Sequence, residues 1–128
     1  MRKDSAMWLE QADKDFEVAK KNFQLKEWYV VAFFCQQAVE KALKALYQEK
    51  KRDVAPSTHS LVYLGHEVGI PSKYIFFLKN LSTDFVATRY PDVFDEVPYR
   101  QYVKEAVEDY LKYTEEVLQW VKSKLKKQ

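Results

Sequence analysis

Two groups of side chains in this chain have the types and spacing for chemistry. The first is Arg89-Tyr90-Pro91-Asp92, a guanidinium, a phenol ring and a carboxylate carried on a bend by Pro91. A guanidinium binds phosphate through two parallel hydrogen bonds and a tyrosine stacks on a base or ribose, so the trio suits a phosphate with its base. The same residues suit an Arg89–Asp92 ion pair bracing the turn. The second group is Gln37, Glu40, Lys41 and Lys44, spaced i, i+3, i+4, i+7, hence one stripe of a helix. A solvated face with a Glu40–Lys44 pair at i, i+4 accounts for it. So does a lined groove or subunit seam, which the flanking aromatics favour.

Other chemistries find little support. His59 and His66 are the two histidines, and no cysteine pair or His-Glu cluster accompanies them, so no metal site is expected. His59 precedes a helix, where its ring either satisfies nearby backbone groups or serves a site. His66 reads as structural. The two glycines, Gly65 and Gly69, cannot make a phosphate-cradling loop, and neither a Walker nor a G-x-S-x-G pattern occurs. No cofactor is expected. Cys35, the lone cysteine, falls on an apolar face and reads as a buried structural thiol.

These residues need helices to position them. A chain of 128 residues that is 47% hydrophobic, with two Gly and four Pro, reads as one all-α domain over residues 1–128. Val30 to Lys51 is apolar around most of its circumference and is expected to be the central helix. A first helix, capped at Asp4 or Ser5, carries Trp8, Ala12, Phe16, Ala19 and Phe23 on one face, and Glu10, Lys14, Glu17, Lys20 and Lys21 opposite. The turn at Leu25 to Glu27 pairs these two as an antiparallel hairpin. Pro56 opens a loop over residues 52–59. A short helix runs from about Ser60 to Val68 and ends at Gly69. Ser72 is expected to cap a fourth helix bearing Tyr74, Phe77, Leu78, Leu81 and Phe85, which ends near Thr88 or Arg89 before Pro91. After an irregular connection, Pro98 marks the start of a fifth helix, with Val103, Val107, Tyr110, Leu111, Thr114, Val117, Leu118, Val121 and Leu125 inward and Lys122, Lys124, Lys126 and Lys127 at its end. The sum is an up-and-down helical bundle of four long helices plus one short helix.

Charge excludes a further class. Lysine and arginine number 21 against 19 acidic residues, a net charge of +2, so no whole-molecule basic field drives nucleic-acid binding and any anion site is local. No apolar run reaches about 18 residues and the start lacks a signal peptide's apolar core, so a cytoplasmic protein is expected.

FFCQQAVEKALKALY on the second helix, His59 with Leu61 and Leu64 after the loop, and ATRYPD at the end of the fourth helix together resemble the HEPN family (higher eukaryotes and prokaryotes nucleotide-binding), in its stand-alone prokaryotic form. The opening hairpin is similar as well, so the likeness covers nearly the whole chain. It implies a homodimeric helical bundle that binds a nucleotide or RNA phosphate, or works beside a small nucleotidyltransferase as toxin or accessory subunit of a two-gene module. Ribonuclease members carry a histidine separated by four to six intervening residues from the arginine that Arg89 matches. Here the positions where it should fall hold Phe94, Asp95 and Glu96. A non-catalytic nucleotide- or RNA-binding protein is therefore expected, with Arg89, Tyr90, Asp92, Gln37, Glu40, Lys41, Lys44 and His59 at its site. A metal-independent endoribonuclease, with His59 or a carboxylate in place of the missing histidine, is the catalytic alternative.

Overall fold

A computed structural model describes residues 1–87 and 97–126, without the side chains of residues 84–87. Five helices follow one another: α1 (Lys3–Gln24), α2 (Trp28–Lys51), α3 (Leu61–Val68), α4 (Ile75–Ala87) and α5 (Lys104–Leu125), with short 3-10 turns at Ser72–Tyr74 and Pro98–Arg100. The protein is an all-α bundle, as the scarcity of glycine and the 3.6-residue periodicity predict.

α2 is its axis. Val31, Ala32, Cys35, Ala38, Val39, Ala42, Leu43, Ala45 and Leu46 are wholly buried along it, and it packs against α1, α3, α4 and α5. A helix buried on so many sides must place its few polar residues against protein rather than water. α1 runs antiparallel to α2, with Gln48 bonded to Ser5 near one end of the hairpin and Phe23 5.3 Å from Trp28 at the other. Lys26, at φ 61, makes the reversal.

Several helix ends differ from the sequence expectation. Asp4 and Ser5 do not cap α1: Arg2 is its N-cap, Asp4 lies in its first turn, and Ser5 is buried as acceptor for Gln48. Ser72 does not cap α4; it opens a 3-10 turn that follows Pro71. Pro98 likewise begins a separate 3-10 turn, and α5 starts only at Lys104, so Val103 is an extended, exposed N-cap rather than a core residue. A proline fits the first turn of either helix type, so its presence marks a helical start without telling how many turns follow. Ser60 does cap α3, accepting from the Tyr63 amide at 3.2 Å, and Gly69 ends that helix at φ 73, with the Ile70 amide reaching back to the Gly65 carbonyl. Gly65 permits a close approach: a Cβ there would lie 2.7 Å from Leu78 Cδ1. The side chain of Phe85, Lys127 and the connection from Thr88 to Glu96 lie outside what the structure describes.

Candidate functional site

The stripe on α2 is not a solvated face. Glu40 and Lys44 retain only 8% and 6% of their side-chain exposure and pair at 3.1 Å, while Gln37 and Lys41 are partly buried. α1 covers the stripe on one side and the 52–60 loop covers it on the other. Gln36 Nε2 donates to Glu40 Oε1 at 2.9 Å, and Gln37 Nε2 donates to Gln36 Oε1 at 2.6 Å. Lys41 Nζ donates to Gln37 Oε1 at 3.0 Å and to Asp15 Oδ2 at 2.6 Å, and Gln11 Nε2 donates to Asp15 Oδ1 at 2.9 Å. The network is thus continuous from Gln11 on α1 to Glu40 on α2. Its charges balance, Asp15 against Lys41 and Glu40 against Lys44, which is the condition under which buried ions are tolerated.

His59 meets this network from the loop. Its Nδ1 lies 3.0 Å from Glu40 Oε1, the oxygen that also accepts from Gln36, and the ring stays 49% exposed. A carboxylate oxygen already accepting from an amide is an acceptor here too, so Nδ1 carries the hydrogen and Nε2 is the ring's acceptor in the neutral form. The loop is pinned on both flanks: the Ala55 amide donates to Gln48 Oε1 at 3.1 Å and the Leu61 amide to Ser82 Oγ at 2.9 Å. The His59 ring nitrogen Nδ1 is thereby engaged by α2 from a loop held at both flanks. Two residues on, the Leu61 amide ties the same loop to Ser82 of α4.

Among the described residues Glu40 has three partners, two on Oε1 and one on Oε2. Lys44 has the carboxylate and, at 5.4 Å, the face of the Trp8 ring. Trp8, Met7, Gln11 and Lys41 with Asp4 line an open cleft of about 360 Å³ on the outside of the α1–α2 seam.

Of the residues singled out in the sequence, Gln37, Glu40, Lys41, Lys44 and His59 are joined in one hydrogen-bonded cluster. Arg89, Tyr90 and Asp92 lie outside the described residues, as do Phe94, Asp95 and Glu96. Gln36 and Asp15 belong to the cluster and were not foreseen. Asp15 stands at i+3 from Ala12 and i−4 from Ala19, inside the apolar stripe of α1, and Gln36 stands at i−4 from Glu40. A polar residue at an apolar register position was the signal for both. Cys35 is buried, as read, and His66 is exposed. Among the described residues no group of three or more His, Cys, Asp or Glu is placed to hold a metal ion, and no helix is long and apolar enough to cross a membrane.

The fold and site define an all-α bundle built on one buried helix, with a charged cluster beneath its loop. The HEPN domain profile matches residues 5–124, and the chain belongs to the HEPN family. It is similar to two solved structures. One is the crystal structure of TT1696 from Thermus thermophilus, at 28% identity and a TM-score of 0.86, covering 96% of this chain and 99% of that one. The other is ST0689, an archaeal HEPN homologue, at 27% identity and a TM-score of 0.81, covering 96% of this chain and 98% of that one. No curated protein matches the chain.

Proposed function

We propose that this HEPN protein binds a nucleotide or an RNA phosphate without cleaving it, as a homodimer, with Arg89 as the phosphate fork and Tyr90 and Asp92 beside it. The observation that carries the reading is His59: a half-exposed imidazole held at Nδ1 by a carboxylate that is itself buried and fixed by Gln36 and Lys44. Burying an ion pair is costly, and a merely surface histidine does not need one beneath it. In this reading Glu40 and Lys44 do not touch ligand. They set the orientation of His59, while Gln37 and Lys41 tie that support to α1. A small nucleotidyltransferase, as the other half of a two-gene module, is the protein partner the family reading favours.

A gel-shift assay with end-labelled single-stranded RNA in EDTA tests this, with Arg89→Ala and His59→Ala run beside the parent chain. The expected result is a shifted, intact RNA that each substitution weakens by about tenfold or more, a typical loss for a charge-assisted contact, with unchanged helical circular dichroism. Unaltered affinity in both variants would end the reading.

The His59–Glu40 pair also favours a second reading. An imidazole with Nδ1 held by a carboxylate is arranged to accept a proton at Nε2, the task of the histidine missing at Phe94 to Glu96. Cleavage in EDTA that is lost on His59→Ala would establish a ribonuclease and displace the non-catalytic reading.

A further inference from the structure

The α1 face of the cluster has an opening that the phosphate reading does not use. Asp15 is 4% exposed, and its two oxygens hold two different heads: Oδ2 takes Lys41 Nζ and Oδ1 takes Gln11 Nε2. One buried carboxylate therefore clamps an ammonium and a carboxamide side by side, and both line the cleft of about 360 Å³ that Trp8 and Met7 wall. Each head keeps unspent capacity. Lys41 has three N–H donors, of which Asp15 and Gln37 take two. Gln11 accepts at an Oε1 that has no partner among the described residues.

The wall of the cleft is aromatic at Trp8. Trp8 carries the Lys44 ammonium 5.4 Å from its ring centroid, and Lys44 is fixed in turn by Glu40. A cation on an indole holds the ring in place. The cleft thus offers an indole with Met7 beside it, plus one donor and one acceptor gathered on Asp15. That combination matches a planar heteroaromatic ring with an acceptor and a donor on adjacent edge atoms, which every nucleobase presents. An aliphatic chain would leave the polar pair unmatched.

We infer that the Trp8–Gln11–Lys41 cleft is a nucleobase site, taking the base of the nucleotide or single-stranded RNA whose phosphate the preceding reading assigns to Arg89 and His59. The inference rests on that reading for its ligand and adds the part of the ligand the cleft recognises. Glu40 and Lys44 serve both ends, because Glu40 holds His59 and Lys44 holds Trp8.

Isothermal titration with uridine 5′-monophosphate and with ribose 5-phosphate separates the two. The nucleotide is expected to bind about tenfold or more tightly than the base-free sugar phosphate, the usual worth of stacking one base. Gln11→Leu, on the exposed face of α1, and Trp8→Leu should each bring the nucleotide down toward the sugar phosphate while leaving the sugar phosphate's affinity as it was. Equal affinities for the two ligands, or an advantage for the nucleotide that survives both substitutions, would overturn the base site and leave the phosphate reading standing. Failure of the parent protein to bind either ligand would overturn both.

Discussion

The α1–α2 seam and the α4–α5 edge are built from opposite materials. The seam holds Asp15, Lys41, Gln36, Glu40 and Lys44 in a chain of directed contacts, each acceptor matched to a donor at 2.6–3.1 Å. At the α4–α5 edge Phe77 rests against Tyr113 at 5.5 Å and Tyr110 at 6.1 Å, and Phe76 beside it is 75% exposed. Ring contacts tolerate small rotations and changes of shape, whereas a buried ion loses its compensation when one partner goes. The bundle therefore concentrates its geometric specificity in the seam, next to the candidate site, and leaves the far edge adaptable.

Replacing Glu40 by Leu breaks the comparison most severely. It strands the Lys44 ammonium in a buried setting and removes the acceptor for Gln36 and His59, and a loss of about 3–5 kcal/mol in urea unfolding is expected. A change below about 1 kcal/mol would mean the seam is no more specific than the edge. Phe77→Leu at the other region is a near-conservative change of volume, expected to cost less than about 1.5 kcal/mol in the same titration. A cost matching that of Glu40→Leu would abolish the contrast.

Thr114→Val sharpens it from the opposite side. Thr114 is wholly buried on α5 and its Oγ1 has no hydrogen-bond partner among the described residues, so the hydroxyl was desolvated without compensation there. The isosteric valine should raise stability by about 1 kcal/mol, visible as a higher melting temperature. The smallest effect is expected at high pH. Burial, followed by the hydrogen bond it donates to Glu116 at 3.0 Å, raises Tyr74 above its ordinary 10.0. A raised acid binds its proton longer in the folded state than in the unfolded one. Its contribution is complete below about pH 10 and fades as pH climbs from there toward the folded-state value. Stability should fall more steeply above about pH 10 in the parent than in Tyr74→Phe; identical alkaline slopes would remove Tyr74 from the account.

Much of the bundle was legible because periodicity reports burial. Ala12, Phe16 and Ala19 on α1, Leu61, Leu64 and Val68 on α3, and Val107, Val117, Leu118 and Val121 on α5 all lie in the core, as their spacing predicts. Helix starts were less legible. Asp4, Ser5, Ser72 and Pro98 have the types that begin helices, but a serine inside a first turn and a proline opening a 3-10 turn carry the same local preference as a true cap. The site was half legible: the i, i+3, i+4, i+7 stripe was visible, while Asp15 and Gln36, polar residues beside it in the fold, become members only once α1 packs on α2.

Local preference and helical period, which depend only on neighbours within a few residues, determined by themselves the all-α class, the central position of α2, the Ser60 and Gly69 caps of α3 and the Glu40–Lys44 pair. Tertiary structure alone decided that this pair is buried, that Lys41 meets Asp15 from 26 positions away, and that His59 comes back over 19 positions to the Glu40 carboxylate. Those contacts follow from how α1 and the 52–60 loop close over α2, and a sequence pattern of one helix does not contain the atoms that will desolvate it.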